Sequence, residues 1–404
     1  MRPRITLSIG DEPLTLDHVD AVARGRADFE LSAAGRAAIL RGRAVVERGV
    51  EAGLPAYGVT TGVGSQKDFA VDREAVARYN DLMITAHATV VPGPDACPEV
   101  VRAALAIQLS LFATGRSGVW LELVERLLAR LRSDDLPDAR LGSSVGASDI
   151  VAMSQLAVPL IGKAGLGTGG AGPAPVGGLA AKEALSLLNS NSLMLAEAAL
   201  ALAEVRALLD AATVAGALSM EGFRGNLQSW SAAIDDARGQ PGQKRTGAAL
   251  RAALAGSRLW QPGEARLLQD PLSFRCVPQI HGAAEAAYDF ARTIVETELS
   301  SACDNPLIEI EAGLFVSHGN METTACALAM DTLRQALAKV IEAAGQRIHN
   351  PVAELHGAAR EPRRGAGRGR RGAVPQLRPS GSGERRRGPA SRPPGAPELL
   401  GPDR

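Results

Sequence analysis

The chain has 404 residues, 46% of them hydrophobic but only 3% aromatic, and its 44 basic side chains balance 44 acidic ones. The balance hides a split: residues 360–404 carry twelve arginines against four carboxylates, so the body is acidic, which argues against a nucleic-acid binder. Four scattered cysteines without a C-x-x-C pair argue against a zinc site or disulfide frame, and no stretch approaches the roughly 18 apolar residues of a membrane span. With no apolar leader at its start, the chain is expected to be cytoplasmic. Richness in Ala and Leu, with few strand formers besides Val, predicts a mainly helical fold.

In chain order, a short extended opening (5–9) precedes helices near 16–23 and 32–49. Tyr57-Gly58-Val59-Thr60-Thr61-Gly62-Val63-Gly64 then makes a glycine-rich loop. No Gly-Lys-Ser/Thr follows, so neither glycine-rich nucleotide pattern fits. Tyr57 is either a packing residue or a base. His87 closes a helical stretch as a half-buried packing histidine or a ring contact. Pro92-Gly93-Pro94 breaks the chain, and helices are expected over 98–114 and 119–132. Residues 142–162, GSSVGASDIVAMSQLAVPLIG, pass from small residues to an apolar helix, with Asp149 as its N-cap. Such a turn into a helix start favours developing negative charge.

Residues 163–178 read as a Gly/Pro/Ala connector. One long apolar helix is expected from 179 to about 209, containing Asn189, a buried amide that needs partners. Gln269 and Arg275 follow in QDPLSFRCVPQIHG, and the Arg275 guanidinium suits a carboxylate. Helices over 281–301 and 322–349 flank a Cys303-Asp304-Asn305-Pro306 turn and the segment 316–321, VSHGNM. Beyond residue 359 the composition turns abruptly to Arg, Gly, Pro and Ala, which reads as an out-of-frame translation of GC-rich sequence. The expected organisation is an N-terminal domain over 1–178, a central helical bundle over 179–350 and a disordered tail over 351–404.

Over about residues 5–350 these motifs resemble the histidine/aromatic amino-acid ammonia-lyase family. Gly146-Ala147-Ser148-Asp149 is similar to its signature segment, and the Tyr57 octet to its Tyr-Gly-Val-Asn/Thr-Thr-Gly-Phe-Gly loop. Residues 182–191 and 269–282 are similar to its Lys-Glu-Gly-Leu-Ala-Leu-Leu-Asn-Gly-Thr and Gln-Asp-Pro-Tyr-Ser-Leu-Arg-Cys stretches. The resemblance implies an all-α, aspartase/fumarase-like bundle behind an N-terminal catalytic-loop domain, assembled as a homotetramer whose active sites each draw on three chains. It implies a lyase eliminating ammonia from an aromatic amino acid, with histidine favoured because Ala86-His87 looks like the histidine-using branch. The electrophile would be MIO, a 4-methylidene-imidazol-5-one formed autocatalytically from Ala147-Ser148-Asp149, with no metal. Tyr57 would be the base and Arg275 the carboxylate clamp, with His87, Asn189 and Gln269 as further substrate contacts.

Four departures stand out. Asp149 either replaces the family's third-position glycine or matches its next residue, an aspartate, with the glycine deleted. Leu272 stands for a catalytic tyrosine, Met321 for a ring-contacting phenylalanine and Val63 for a phenylalanine. The departures leave open an MIO-independent lyase acting on a histidine-like betaine, an aminomutase, or an inactive truncated relative that pairs with an intact paralogue.

Overall fold

The computed structural model describes residues 5–90, 92–164 and 178–360, with side chains to residue 349; the expected tail from residue 361 on and most of the connector lie outside the described residues, while 351–360, expected to be disordered, continue the last helix. Strand β1 (Ile5–Ile9) and strand β2 (Ala27–Leu31) pair in parallel around helix α1 (Leu16–Ala23). The alternation Ala27 and Phe29 inward, Asp28 and Glu30 outward marks β2, which the sequence reading did not foresee. Helix α2 (Ala33–Glu51) starts at the expected serine, with Ser32 Oγ accepting the Gly35 N–H at 2.8 Å.

Helix α3 (Val76–His87) leads to α4 (Pro98–Ala113), which opens on a proline and is buried on nearly every face. Helix α5 (Leu121–Ser133) presents an apolar stripe of Leu123, Val124, Leu127, Leu128 and Leu131 to the same core. Helix α6 (Ile150–Ala157) follows the small-residue stretch.

The single helix expected from 179 is two. Helix α7 (Glu183–Leu188) stops at Asn189, and α8 (Ser192–Phe223) continues far beyond 209. A buried knot between them causes the break: Gln108 Oε1, from α4, accepts hydrogen bonds from Ser190 Oγ (2.5 Å) and Ser192 Oγ (2.9 Å), while its amide donates to the Ser186 carbonyl (3.1 Å). Polar side chains that bond each other here outcompete a continuous helical ladder. The 32 residues of α8 span about 48 Å. It begins in the main core with Leu193, Leu195, Ala196 and Leu202, and ends in a second core. There Met220 and Phe223 meet Trp230, Leu250, Leu254, Phe274 and Val277. Phe223 and Phe274 stack at 4.1 Å, a pair contributing about 0.5–1.5 kcal/mol beyond burial.

Helices α9 (Ala232–Arg238) and α10 (Pro241–Ala253) then turn back, and α11 (Leu272–Arg275) precedes α12 (Val277–Glu298), which runs beside α8. The crossing of α10 and α12 is closest at Gly242 and Gly282, where a Cβ on Gly282 would sit 2.5 Å from the Gln243 backbone. A hairpin of β3 (Leu307–Glu309) and β4 (Leu314–Val316) packs Ile308 on Val45 and Val46 of α2. The last element is α13 (Thr324–Arg360).

Candidate active site

Helix α7 organises one half of the site. The Tyr57 loop lies against it: Gly58 has φ +63°, and a Cβ there would come within 2.4 Å of Leu185, so the loop can approach only with glycine. Tyr57 Oη accepts the Gly64 N–H at 3.0 Å, which folds the loop over its own ring. A second phenol, Tyr79 of α3, reaches the Val63 backbone, and burial raises its pKa. Helix α3 packs on both α6 and α7 and ends at His87, whose Nδ1 lies 2.7 Å from the Met83 carbonyl. A carbonyl can only accept, so that contact puts a proton on Nδ1. Asn189, at the C-terminal end of α7, is half-buried rather than buried as the sequence suggested, and it still has a partner: its Oδ1 accepts the Asn305 N–H at 3.0 Å.

Residues 146–149 meet this half at Ser190. Gly146 (φ +81°) and Ser148 (φ +68°) bend the chain twice. Thr323 holds one edge, its N–H and Oγ1 bonding the Gly146 carbonyl, and the Ser148 N–H donates to the Met321 carbonyl at 3.2 Å. Ser148 is buried, and its Oγ has no partner among the described residues. Asp149 holds the N-cap position of α6, its carbonyl accepting the Met153 N–H at 2.8 Å. Its carboxylate, however, does not cap α6 as the sequence suggested. Oδ2 instead accepts the Met194 N–H at 2.9 Å, in the first turn of α8, whose own cap residue Asn191 makes no side-chain bond there. The buried start of a long helix carries unpaired N–H groups and the positive end of its dipole, so it captures the carboxylate. Burial raises the Asp149 pKa, and the Met194 N–H partly opposes that.

The ring implied by the resemblance requires the amide nitrogen of residue 149 to attack the Ala147 carbonyl carbon. Here that N–H is engaged by the Ser190 carbonyl at 2.9 Å. The residue also carries a buried side chain fastened to α8, and its φ of −92° is not the left-handed bend a glycine would supply. Ala147-Ser148-Asp149 therefore does not fit the ring.

Arg275 and Gln269 belong to the other end of α8. With the Gln269 amide oxygen facing it, both terminal guanidinium nitrogens of Arg275 donate to that oxygen, at 2.7 and 3.0 Å. The Arg275 carbonyl accepts the Trp230 indole N–H at 3.1 Å, inside the second core. A cleft of about 420 Å³ opens alongside, lined by Leu272, Ser273, Gln279 and Ile280 with residues of α13. Met194, which touches Asp149, and Met220, in the second core, are 26 residues apart on one helix, or about 40 Å. A single chain therefore brings Tyr57, His87, Asn189 and the 147–149 stretch to one end of α8, and places Arg275 and Gln269 at the other.

Sequence reasoning missed His281, though it lies within the quoted motif. It is buried, both ring nitrogens lack partners among the described residues, and burial together with the Arg347 guanidinium pushes its pKa down to about 4, so it is neutral. Among the described residues no group of three or more His, Cys, Asp or Glu side chains is arranged to hold a metal, and no helix is long and apolar enough to cross a membrane.

The family model for aromatic amino acid lyases matches residues 14–358. The chain belongs to that family. Among the lyases it resembles is a histidine ammonia-lyase of Anaeromyxobacter sp. (strain K), 37% identical over 370 residues that cover 86% of this chain and 73% of the relative. The fold matches the ergothioneine-degrading ergothionase of Treponema denticola with a TM-score of 0.79 at 30% identity, over 85% of this chain and 71% of that one. A histidine ammonia-lyase of Trypanosoma cruzi gives a TM-score of 0.73 at 28% identity, over 85% and 67%. The mainly helical, aspartase-like fold expected from the motifs is thus the fold of this lyase.

Proposed function

We propose that this chain is a carbon–nitrogen lyase that eliminates ammonia from an aromatic amino acid, histidine favoured, in the manner of histidine to urocanate. The observation that carries this reading is the convergence on α7 of a glycine-closed Tyr57 loop and Asn189, beside the doubly bent 146–149 stretch. In the elimination, Tyr57 Oη takes a proton from the β-carbon, the C–H pair becomes the new double bond, and the Cα–N bond breaks to release the amine. Arg275 grips the substrate carboxylate through its guanidinium fork, while Asn189 and Gln269 orient it. His87 is placed to meet the substrate ring. Ultraviolet detection of the unsaturated acid from histidine, tyrosine and phenylalanine tests the reading, and no turnover of any of them refutes it.

Asp149 favours a second reading. A chain without the ring suits a substrate whose nitrogen already leaves well, such as the quaternary ammonium of a histidine-like betaine, and the ergothionase likeness supports this. Intact mass separates the two: a chain that forms MIO is lighter than its sequence by two waters. Elimination from the betaine but not from histidine, at full sequence mass, establishes the second.

The separation of Arg275 from Tyr57 along α8 supports a homotetramer in which neighbouring copies complete each site. Exposed apolar residues on the helices that would meet, including Leu208, Val214 and Leu218 of α8, support the same assembly. The proposal includes a cytoplasmic location and an out-of-frame origin for the arginine-rich tail.

A further inference from the structure

We propose that Lys182 and Asp304 are positioning residues for Asn189. The inference rests on the reading that Asn189 meets the substrate. Lys182 is fully buried and occupies the N-cap position of α7 in a left-handed conformation, φ +77°. Its Nζ lies 2.5 Å from Asp304 Oδ2 and donates to Ser186 Oγ at 2.8 Å, while Ser117 Oγ donates to Asp304 Oδ1 at 3.0 Å. Both carboxylate oxygens are thus engaged. An ammonium ion without solvent requires such a partner, and fixing the pair there costs desolvation that an apolar pair would avoid.

The neighbouring residue supplies what the ion pair fixes. Asn305 donates its N–H to Asn189 Oδ1, and its own Oδ1 accepts the His318 N–H at 2.8 Å. His318 Nε2–H donates to the Asp304 carbonyl at 3.0 Å, and its Nδ1 accepts the Asn320 N–H at 3.0 Å. The six-residue helix α7 is therefore held at its start by residue 304 and at its end by residue 305. Any shift of this two-residue turn moves the amide that orients the Asn189 carboxamide. Lys182 and Asp304 act on the substrate only through Asn189.

A double-mutant cycle on the full chain tests this, read as histidine affinity by calorimetry together with kcat and KM. Asp304→Asn and Asn189→Ala should each weaken binding by about tenfold or more, while Asn189→Ala/Asp304→Asn should bind no more weakly than Asn189→Ala alone. Where Asp304→Asn fails to fold, Ser117→Ala, which removes one bond to the carboxylate, takes its place in the cycle with an expected effect of about threefold. Losses that multiply in the double variant, or an Asp304→Asn (or, in its place, Ser117→Ala) protein that binds normally while Asn189→Ala does not, overturn the positioning role. Normal binding by Asn189→Ala, or no binding by the unaltered chain, instead overturns the site reading beneath it.

Discussion

Mixing two inactive variants tests the split site. Tyr57→Phe removes the base, a loss of about 10²–10⁴-fold. Arg275→Ala removes the carboxylate clamp, a loss of about 10²-fold or more. The two residues lie at opposite ends of α8, about 40 Å apart between Met194 and Met220, far beyond the reach of any side chain. If they serve one site, they come from different copies. In an equal co-expressed mixture, half the copies offer an intact Tyr57 and half an intact Arg275. A site fed by two separate copies is then complete about one time in four under random assembly of the symmetric oligomer. The mixed oligomer should recover about a quarter of the unaltered rate per site, about 25-fold or more above either variant alone. The assay is product absorbance on tagged, co-purified mixed oligomers. Activity no higher than the average of the two pure variants refutes the shared site, because residues used within one copy can never be complemented.

Other expectations follow from the packing and the buried carboxyl. Burial raises the pKa of Asp149 above 3.8, so its stabilising protonation is complete below that value and is lost as pH rises through the higher folded value; at neutral pH the ionised group is a net cost. Asp149→Asn keeps an oxygen for the Met194 N–H, so its melting temperature at pH 7 should equal or exceed that of the unaltered chain, with a smaller change on mild acidification. Asp149→Ala also loses the α8 cap and should be less stable than Asp149→Asn by about 0.5–2 kcal/mol in urea titration. Gly282→Ala forces a Cβ against the Gln243 backbone and should cost about 1–3 kcal/mol in the same titration. Gly222→Ala, with nothing within 4 Å, should instead stabilise α8 by about 0.5–1 kcal/mol. A chain without the ring should show the full sequence mass.

What the sequence made legible was local, and what it hid was supplied from far along the chain. The expected 16–23 helix is α1 to the residue, because Thr15 and the apolar set Leu16, Val19, Val22 and Ala23 lie within one short window. That Asn189 would take a partner was also readable, since an amide among Ala and Leu demands one, though the residue is only half-buried and the partner came from Asn305, 116 residues later. For the same reason the break after α7 was invisible: propensity favours continuing a run of Ala and Leu, and the interruption is imposed by Gln108 from α4. Helices α9 and α10 escaped notice because their apolar stripes are thin, and α10 is held by glycine contact with α12 more than by a hydrophobic face. Asp149 shows how the local and the distant combine. Residue type and position correctly marked a helix start, but a carboxylate can serve whichever unpaired N–H groups it reaches, and the longer helix took it. The residue that should close a ring instead fastens two helices together, and on that one fastening turns the choice between a substrate whose nitrogen must be activated and one whose nitrogen leaves unaided.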